Sequence, residues 1–159
     1  MTETATTIEP RMAHPAMTLP GAMEALQALA GASAKAGLPA ITTELVHLRA
    51  SQLNGCSVCV EMHATALTRA GVSPERIWTV GAWREAPYFD AAERAALALT
   101  EAVTRLADRS DPVPDEIWDE AARHYDETTL AALTLAIANI NVWNRLNVAT
   151  RQPAGAWKG

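Results

Sequence analysis

The stretch AITTELVHLRASQLNGCSVCVEMHATALTRA, residues 40–70, predicts two consecutive helices with a sharp break between them. Its first helix is expected over residues 40–53, where apolar residues recur at helical spacing: Ile41, Leu45 and Leu48. Asn54-Gly55 ends this helix, because the dipeptide favours a turn. The second helix is expected over residues 57–70. This part of the chain is therefore predicted to run helix, turn, helix.

Helical periodicity also marks most of the remaining chain. Further helices are expected over residues 22–35, 73–81, 91–106, 115–124 and 128–150. Alanine dominates the apolar residues, and it is the best intrinsic helix former. No segment shows the alternating pattern of β-branched residues that is typical of a strand. We therefore expect an all-α fold, a single-domain helical bundle of about six to seven helices.

The chain length and the positions of proline define the expected domain organisation. A chain of 159 residues is long enough for one domain and too short for two ordinary ones. Residues 1–20 contain three prolines and little periodicity, so we expect an irregular N-terminal arm. The helical domain is expected over residues 21–152. Pro153 and Gly155 mark residues 153–159 as a C-terminal tail.

Charge and hydropathy disfavour two classes of partner. The net charge is −5, and the 13 lysines and arginines form no cluster, so nucleic acid is not expected to bind. Residues 128–148 are the least polar long stretch, but they contain several asparagines and an arginine, which disfavours a membrane span. The N-terminus lacks the apolar segment of a secretory signal. We expect a cytoplasmic protein with no membrane partner.

Cys56 and Cys59 are the two cysteines of the chain, and they stand three residues apart. Such a CxxC pair is commonly half of a zinc site, a redox dithiol or an incidental buried pair. A structural zinc site needs four ligands, and the chain has no second CxxC. Carboxylates or the histidines, His63 among them, would have to complete such a site. We therefore expect no metal.

The position of the dithiol favours redox chemistry. Cys56 begins a helix directly after the Asn54-Gly55 break, so both thiols lie in the first turn. The helix dipole and the unpaired N–H groups there stabilise a thiolate, which is the reactive form of cysteine. His63 follows Cys59 by four residues and shares its helix face, where a neutral imidazole can accept the thiol proton. The alternative is a capping or surface histidine.

With Glu44 twelve residues before Cys56, the pattern Glu44, Cys56-x-x-Cys59-x-x-x-His63 resembles the core motif of the alkylhydroperoxidase D family. That family lies within the carboxymuconolactone decarboxylase-like superfamily. The similarity covers roughly residues 38–152. It includes the Pro87-Tyr88-Phe89 loop before an alanine-rich helix and the segment NVWNRLN, residues 141–147.

The resemblance implies a role for each residue of the motif. Cys59 would attack the peroxide and form a sulfenic acid, and Cys56 would resolve it by closing a disulfide. His63 and Glu44 would form a proton relay. The implied protein is an all-helical homo-oligomer, a trimer or hexamer. It would reduce small-molecule hydroperoxides without a cofactor and be recycled by an external dithiol or electron-donor protein.

Several points keep other interpretations open. The family relay has a further histidine just before the second cysteine, where this chain has Val58. Water or His47, three residues after Glu44, would have to replace it, although His47 is also consistent with a plain surface histidine. Glu44 is consistent with a solvated carboxylate. The alternative functions are a general disulfide oxidoreductase and a non-catalytic helical oligomer with a structural or sensing disulfide.

Aromatic and amide side chains supply the remaining candidates. Of the five tryptophans, most are expected in the core or at subunit interfaces, and Trp83 with Tyr88 is the candidate for a substrate pocket. Asn141, Asn144 and Asn147 repeat every three residues along one helix face. They predict a buried, hydrogen-bonded seam between helices or subunits.

Overall fold

The computed structural model describes residues 6–156, which contain eight α-helices and no β-strand. The helices are α1 (Pro15–Thr18), α2 (Ala22–Ala34), α3 (Ala40–Asn54), α4 (Ser57–Arg69), α5 (Pro74–Trp78), α6 (Ala91–Thr104), α7 (Asp115–His124) and α8 (Glu127–Thr150). A short 3-10 helix, Thr79–Ala82, follows α5. The expected all-α fold is confirmed.

The expected number of six to seven helices is too low. The additional helix is α1, a single turn within the segment predicted as an irregular arm. It forms because Nδ1 of His14 accepts a hydrogen bond from the Ala16 N–H at 3.1 Å, while Pro15 occupies the first helical position. The backbone N–H of Arg11 donates to the carbonyl of Thr150, which fixes the arm against the end of α8.

Helix α3 is the centre of the bundle, with α4, α6 and α8 packed around it. Its leucines point into the core on one side: Leu45 and Leu48 are both 1% exposed. Leu97 of α6 packs with these two leucines, while Leu133 and Ile137 of α8 form a second cluster with Val46. A residue on α3 is therefore surrounded by three other helices. This placement matters because Glu44 and His47 lie on α3.

The Asn seam joins these same helices. The side chain of Asn54 on α3 donates to the amide oxygens of Asn141 and Asn144, at 2.9 Å in both cases. Asn144 in turn donates to the Ser51 hydroxyl at 3.0 Å, and Asn141 donates to Thr104 of α6 at 3.1 Å. Hydrogen bonds therefore satisfy buried amides between helices, as the sequence predicts for Asn141 and Asn144.

The described ends of the chain contact the bundle. The backbone N–H of Ala154 donates to Ser57 on α4 at 3.2 Å, so residues 153–156 of the predicted tail lie against that helix. Residues 157–159, which include Trp157, and residues 1–5 of the arm lie outside the described residues. Within residues 6–156, no helix is long and apolar enough to cross a membrane.

Replacing Asn144 with Ala should lower the free energy of unfolding by about 3 kcal/mol. The substitution leaves a small cavity at a fully buried position and removes partners from both Ser51 and Asn54. Val148→Ala on the same helix is the control: its side chain is 46% exposed, and we expect a change of about 0.5 kcal/mol or less. Urea unfolding of both variants measures the difference, and equal losses of unfolding free energy would contradict a stabilising role for the Asn seam.

Candidate active site

The junction between α3 and α4 places the two cysteines. Gly55 ends α3 in the left-handed region with φ of +68°, a conformation that favours glycine. Cys56 then becomes the N-cap of α4, and its sulfur accepts a hydrogen bond from the backbone N–H of Cys59 at 3.3 Å. Cys56 and Cys59 form a disulfide, and both are buried. The structure therefore describes the oxidised dithiol.

Glu44 and His63 form a direct pair across α3 and α4. Nδ1 of His63 lies 2.8 Å from Oε2 of Glu44, a hydrogen-bonding distance. Burial alone would raise the pKa of Glu44, but the hydrogen bond and the charge of His63 outweigh it and lower the pKa. Glu44 is therefore ionised at neutral pH and accepts the hydrogen bond from His63.

His47 lies one turn after Glu44 and contacts the pair from the bundle interior. Its ring centroid is 4.7 Å from that of His63, and both of its nitrogens are buried. Burial, reinforced by the nearby His63, lowers the pKa of His47 to about 4, while Glu44 and the backbone of Ala136 act in the opposite direction. His47 is therefore a neutral, buried imidazole and not a surface histidine.

A cavity of about 340 Å³ connects these residues with one of the two cysteines. Glu44, His47, His63 and Cys59 all border it, whereas Cys56 does not. The rest of the lining is mostly apolar and comes from α2, α4 and α8: Met23, Gln27, Ala30, Met62, Asn139, Ile140, Trp143 and Asn147. An apolar cavity with a few convergent polar groups is the usual form of a small-molecule site.

Asn147 is a site residue that sequence reasoning assigned elsewhere. Its side-chain N–H donates to the sulfur of Cys59 at 3.3 Å, so it faces the disulfide and the cavity. The three-residue spacing predicts a buried hydrogen bond between helices, and Asn147 makes one from α8 to α4. The spacing does not indicate that the acceptor is the sulfur of Cys59. Asn147 lies about one helical turn beyond Asn144, at the point where α8 reaches the start of α4.

The aromatic pocket residues also differ from the prediction. Trp83 is buried in the core, where its indole N–H donates to Glu101 at 2.9 Å, and Tyr88 is exposed. Neither borders the cavity with the cysteine. Trp143 does border it, with His14 stacked at 5.5 Å between ring centroids. The sequence of α8 does not indicate that Trp143 borders a cavity, because the cavity is enclosed only where α2 packs over α8.

Val58 occupies the position at which the resemblance calls for a second relay histidine. Its side chain is fully buried and clusters with Cys56 and Cys59. A valine neither accepts nor donates a proton. The pair of Glu44 and His63 is therefore the hydrogen-bonded ionisable pair that borders the cavity with Cys59.

The sequence pattern of the carboxymuconolactone decarboxylase family matches residues 20–102, a range that contains Glu44, both cysteines and His63. This chain belongs to the carboxymuconolactone decarboxylase family. The uncharacterized protein YdfG of Bacillus subtilis (strain 168) is 40% identical over 108 residues, 68% of this chain and 72% of YdfG. The uncharacterized protein YnjA of Escherichia coli (strain K12) is 30% identical over 117 residues, 74% of this chain and 63% of YnjA.

Solved structures also match the fold of this chain. One is ATU0492 from Agrobacterium tumefaciens, a protein of unknown function for which a role in antioxidant defence as AhpD has been suggested. It superposes with a TM-score of 0.84 at 34% identity, covering 92% of this chain and 98% of ATU0492. A cysteine variant of the debrominase Bmp8 with 2,3,4-tribromopyrrole gives a TM-score of 0.76 at 24% identity, covering 88% and 74%. The second likeness concerns the fold alone.

Acid should destabilise the protein through His47. The unfolded chain takes up a proton on this residue near pH 6.5, and the folded protein does so only near pH 4. Between those values the unfolded state binds more protons, so the free energy of unfolding falls as the pH falls, by up to about 3 kcal/mol.

The variant His47→Leu lacks this contribution and keeps an apolar side chain in the buried position. We expect its free energy of unfolding to fall less steeply than that of the wild type between pH 7 and pH 4. Chemical unfolding at several pH values, in buffer with a chelator, measures both slopes. Parallel pH curves for the two proteins would contradict a buried neutral His47.

Proposed function

We propose that the protein is a thiol-dependent reductase of organic hydroperoxides, with Cys59 as the sulfur that attacks the peroxide. The observation that carries the proposal is the shared cavity. Cys59 borders it together with the hydrogen-bonded pair of Glu44 and His63, whereas Cys56 lies outside it. A substrate in the cavity would meet one sulfur and one proton donor at once, as nucleophilic catalysis requires.

The reaction would begin with the reduced dithiol. The thiol proton of Cys59 passes to His63, directly or through a water molecule, and Glu44 stabilises the resulting imidazolium. The thiolate attacks the terminal oxygen of the peroxide and breaks the O–O bond. The sulfur becomes a sulfenic acid, and the leaving alkoxide takes the proton from His63 to form an alcohol.

Cys56 would complete the cycle. Its thiol attacks the sulfur of Cys59, the S–S bond forms, and the sulfenic oxygen leaves as water with the proton of Cys56. An external dithiol, free or carried by an electron-donor protein, then supplies two electrons and two protons that reopen the disulfide. The disulfide in the structure corresponds to the end of the oxidative half of this cycle.

The lining of the cavity supports an organic substrate. Met23, Ala30, Met62, Ile140 and Trp143 present apolar surface to it. Such surface favours the carbon chain or ring of an alkyl hydroperoxide over hydrogen peroxide, because burial of apolar area is the main source of affinity. We further propose that the protein works as a homo-oligomer, a trimer or hexamer, in the cytoplasm.

One observation favours general disulfide exchange as a second candidate function. The sulfur of Cys56 accepts the backbone N–H of Cys59 at the start of α4, and this environment stabilises a thiolate on Cys56 as well. A disulfide oxidoreductase would use that thiolate against protein disulfides and would need no peroxide. The two functions differ in which cysteine attacks.

Replacing Cys59 with Ser should reduce the consumption of an alkyl hydroperoxide, with a dithiol reductant supplied, to the uncatalysed rate. Cys56→Ser is the matched variant and should still consume about one equivalent of hydroperoxide in a single turnover, because the attacking sulfur is intact. Oxygen uptake on Cys59 is read by mass spectrometry after trapping of the sulfenic acid.

Three outcomes separate the candidate functions. Unchanged turnover in Cys59→Ser would overturn the peroxidase proposal. A wild-type protein that reduces a protein disulfide but consumes no hydroperoxide would favour disulfide exchange. A wild-type protein that reacts with neither hydroperoxides nor disulfides would leave a structural or sensing disulfide.

Asn147→Leu should slow the reaction of Cys59 with hydroperoxide by about tenfold. The amide N–H that reaches this sulfur is positioned to stabilise a thiolate, and a hydrogen bond to a charged group contributes about 1.5 kcal/mol or more. The effect should appear in the rate of thiol loss in single-turnover experiments, with a shift of its pH profile to higher pH. An unaltered pH profile would contradict this role for Asn147.

A further inference from the structure

We propose that Glu44, His47 and His63 form a binding site for one divalent transition-metal ion, with Zn²⁺ as the probe, and that the bound ion blocks the proton relay. One ligand atom from each of the three side chains lies within 4.8 Å of the other two. One carboxylate and two imidazoles form a ligand set that Zn²⁺ and its first-row neighbours accept. The binding site rests on these side chains alone, whereas the inhibition rests on the proposed function.

His47 is the observation that points to a ligand. Both of its ring nitrogens are buried, and the backbone of Ala136 interacts with the ring, so at least one of the two nitrogens has no hydrogen-bond partner among residues 6–156. Buried polar groups without partners are uncommon in folded proteins because they cost free energy. The peroxide chemistry proposed above does not use His47. A metal ion would satisfy one of its nitrogens.

The carboxylate of Glu44 gives the site a charge that suits a cation. Its Oε2 lies 2.8 Å from Nδ1 of His63, and a ligand atom of His47 lies within 4.8 Å of the ligand atoms of both. One carboxylate beside two imidazoles offsets part of the charge of a divalent ion, which favours binding.

The backbone already holds the three side chains in place. Glu44 and His47 lie three residues apart on one face of α3, and His63 faces them from α4. Ligands of a tetrahedral Zn²⁺ ion lie about 3.4 Å apart when the bonds are about 2.1 Å. The side chain of Glu44 is 29% exposed, so rotation about its bonds can close the difference of about an ångström between the observed spacing and the spacing around Zn²⁺. The cavity leaves room for water as the fourth ligand.

An ion at this site would compete with the relay. It would bind the lone pairs of His63 and Glu44, whose Nδ1 and Oε2 atoms share a hydrogen bond in the structure. The thiol of Cys59 would then lose its proton acceptor, and the alkoxide would lose its proton donor. Metal binding and peroxide reduction are therefore mutually exclusive, and the ion acts as an inhibitor of the enzyme.

Zn²⁺ binding by the oxidised full-length protein tests the site, because the closed disulfide keeps both thiols from binding the ion. We expect one Zn²⁺ per chain in competition with a chromophoric chelator. His47→Leu should weaken binding by about tenfold or more, since one ligand of three is lost. His124→Ala is the matched control: it removes a histidine that pairs with Glu120 on α7, outside the proposed site, and should bind as the wild type does.

Binding that is absent in the wild type, or equal in the wild type and His47→Leu, would overturn the site. Glu44→Gln keeps the shape of the side chain without its charge and should weaken binding too, which guards against a folding defect in His47→Leu. Circular dichroism of each variant checks the fold.

The inhibition is tested separately with reduced protein and an alkyl hydroperoxide. Zn²⁺ should lower the rate of the wild type, a chelator should restore it, and the fractional inhibition should be smaller in His47→Leu. Bound Zn²⁺ that leaves the rate unchanged would overturn the inhibition. A wild type that binds Zn²⁺ but never reduces hydroperoxide would overturn the peroxidase proposal and leave the metal site standing.

Discussion

The arrangement of the candidate site depends on the sharp turn at Gly55. Its left-handed backbone ends α3 and allows α4 to begin at the very next residue, Cys56. Because the two helices then pack against each other, Glu44 on α3 meets His63 on α4 at 2.8 Å, although nineteen residues separate them in sequence. The same turn places a cysteine at a helix N-terminus. A longer or looser connection would separate the dithiol from the pair of Glu44 and His63.

Helix α8 supplies the other half of the site. Asn141 and Asn144 fix it against α3 through buried hydrogen bonds, and this fixed position brings Asn147 and Trp143 to the cavity. Buried amides are costly unless they are fully hydrogen-bonded, so they define one register between two helices where leucines alone would tolerate several. The seam is therefore a positioning device for the site as much as a source of stability.

The sequence was sufficient to predict the helices and the motif residues, since both depend on local patterns. Cys56, Cys59 and His63 were singled out by spacing and Glu44 by the family resemblance. The structure brings Glu44, His63 and Cys59 to one cavity, and Cys56 is joined to Cys59 in a disulfide. Asn147, Trp143 and the burial of His47 could not be predicted in this way. Each depends on how α8 and α2 pack over α3, and the sequence periodicity of an isolated helix does not specify its partners. Helix α1 was missed because a single capped turn is too short to show periodicity.

The proposed metal site also depends on how the helices pack and not on a local sequence pattern. A zinc site was one interpretation of the CxxC pair, set aside because the chain has no second CxxC, and those two cysteines are joined in a disulfide. The structure instead assembles a carboxylate and two imidazoles beside the dithiol. The two histidines lie sixteen residues apart on different helices, and no zinc motif of the sequence links them.

The central claim is that a hydroperoxide oxidises this dithiol through Cys59 within the cavity. The most direct measurement mixes fully reduced wild-type protein with one equivalent of an alkyl hydroperoxide and counts alcohol and free thiols over time. The account predicts one alcohol formed for every two thiols lost, with the Cys56–Cys59 disulfide as the product. Alcohol formed without loss of thiols, or thiols that persist while the hydroperoxide remains, would contradict it.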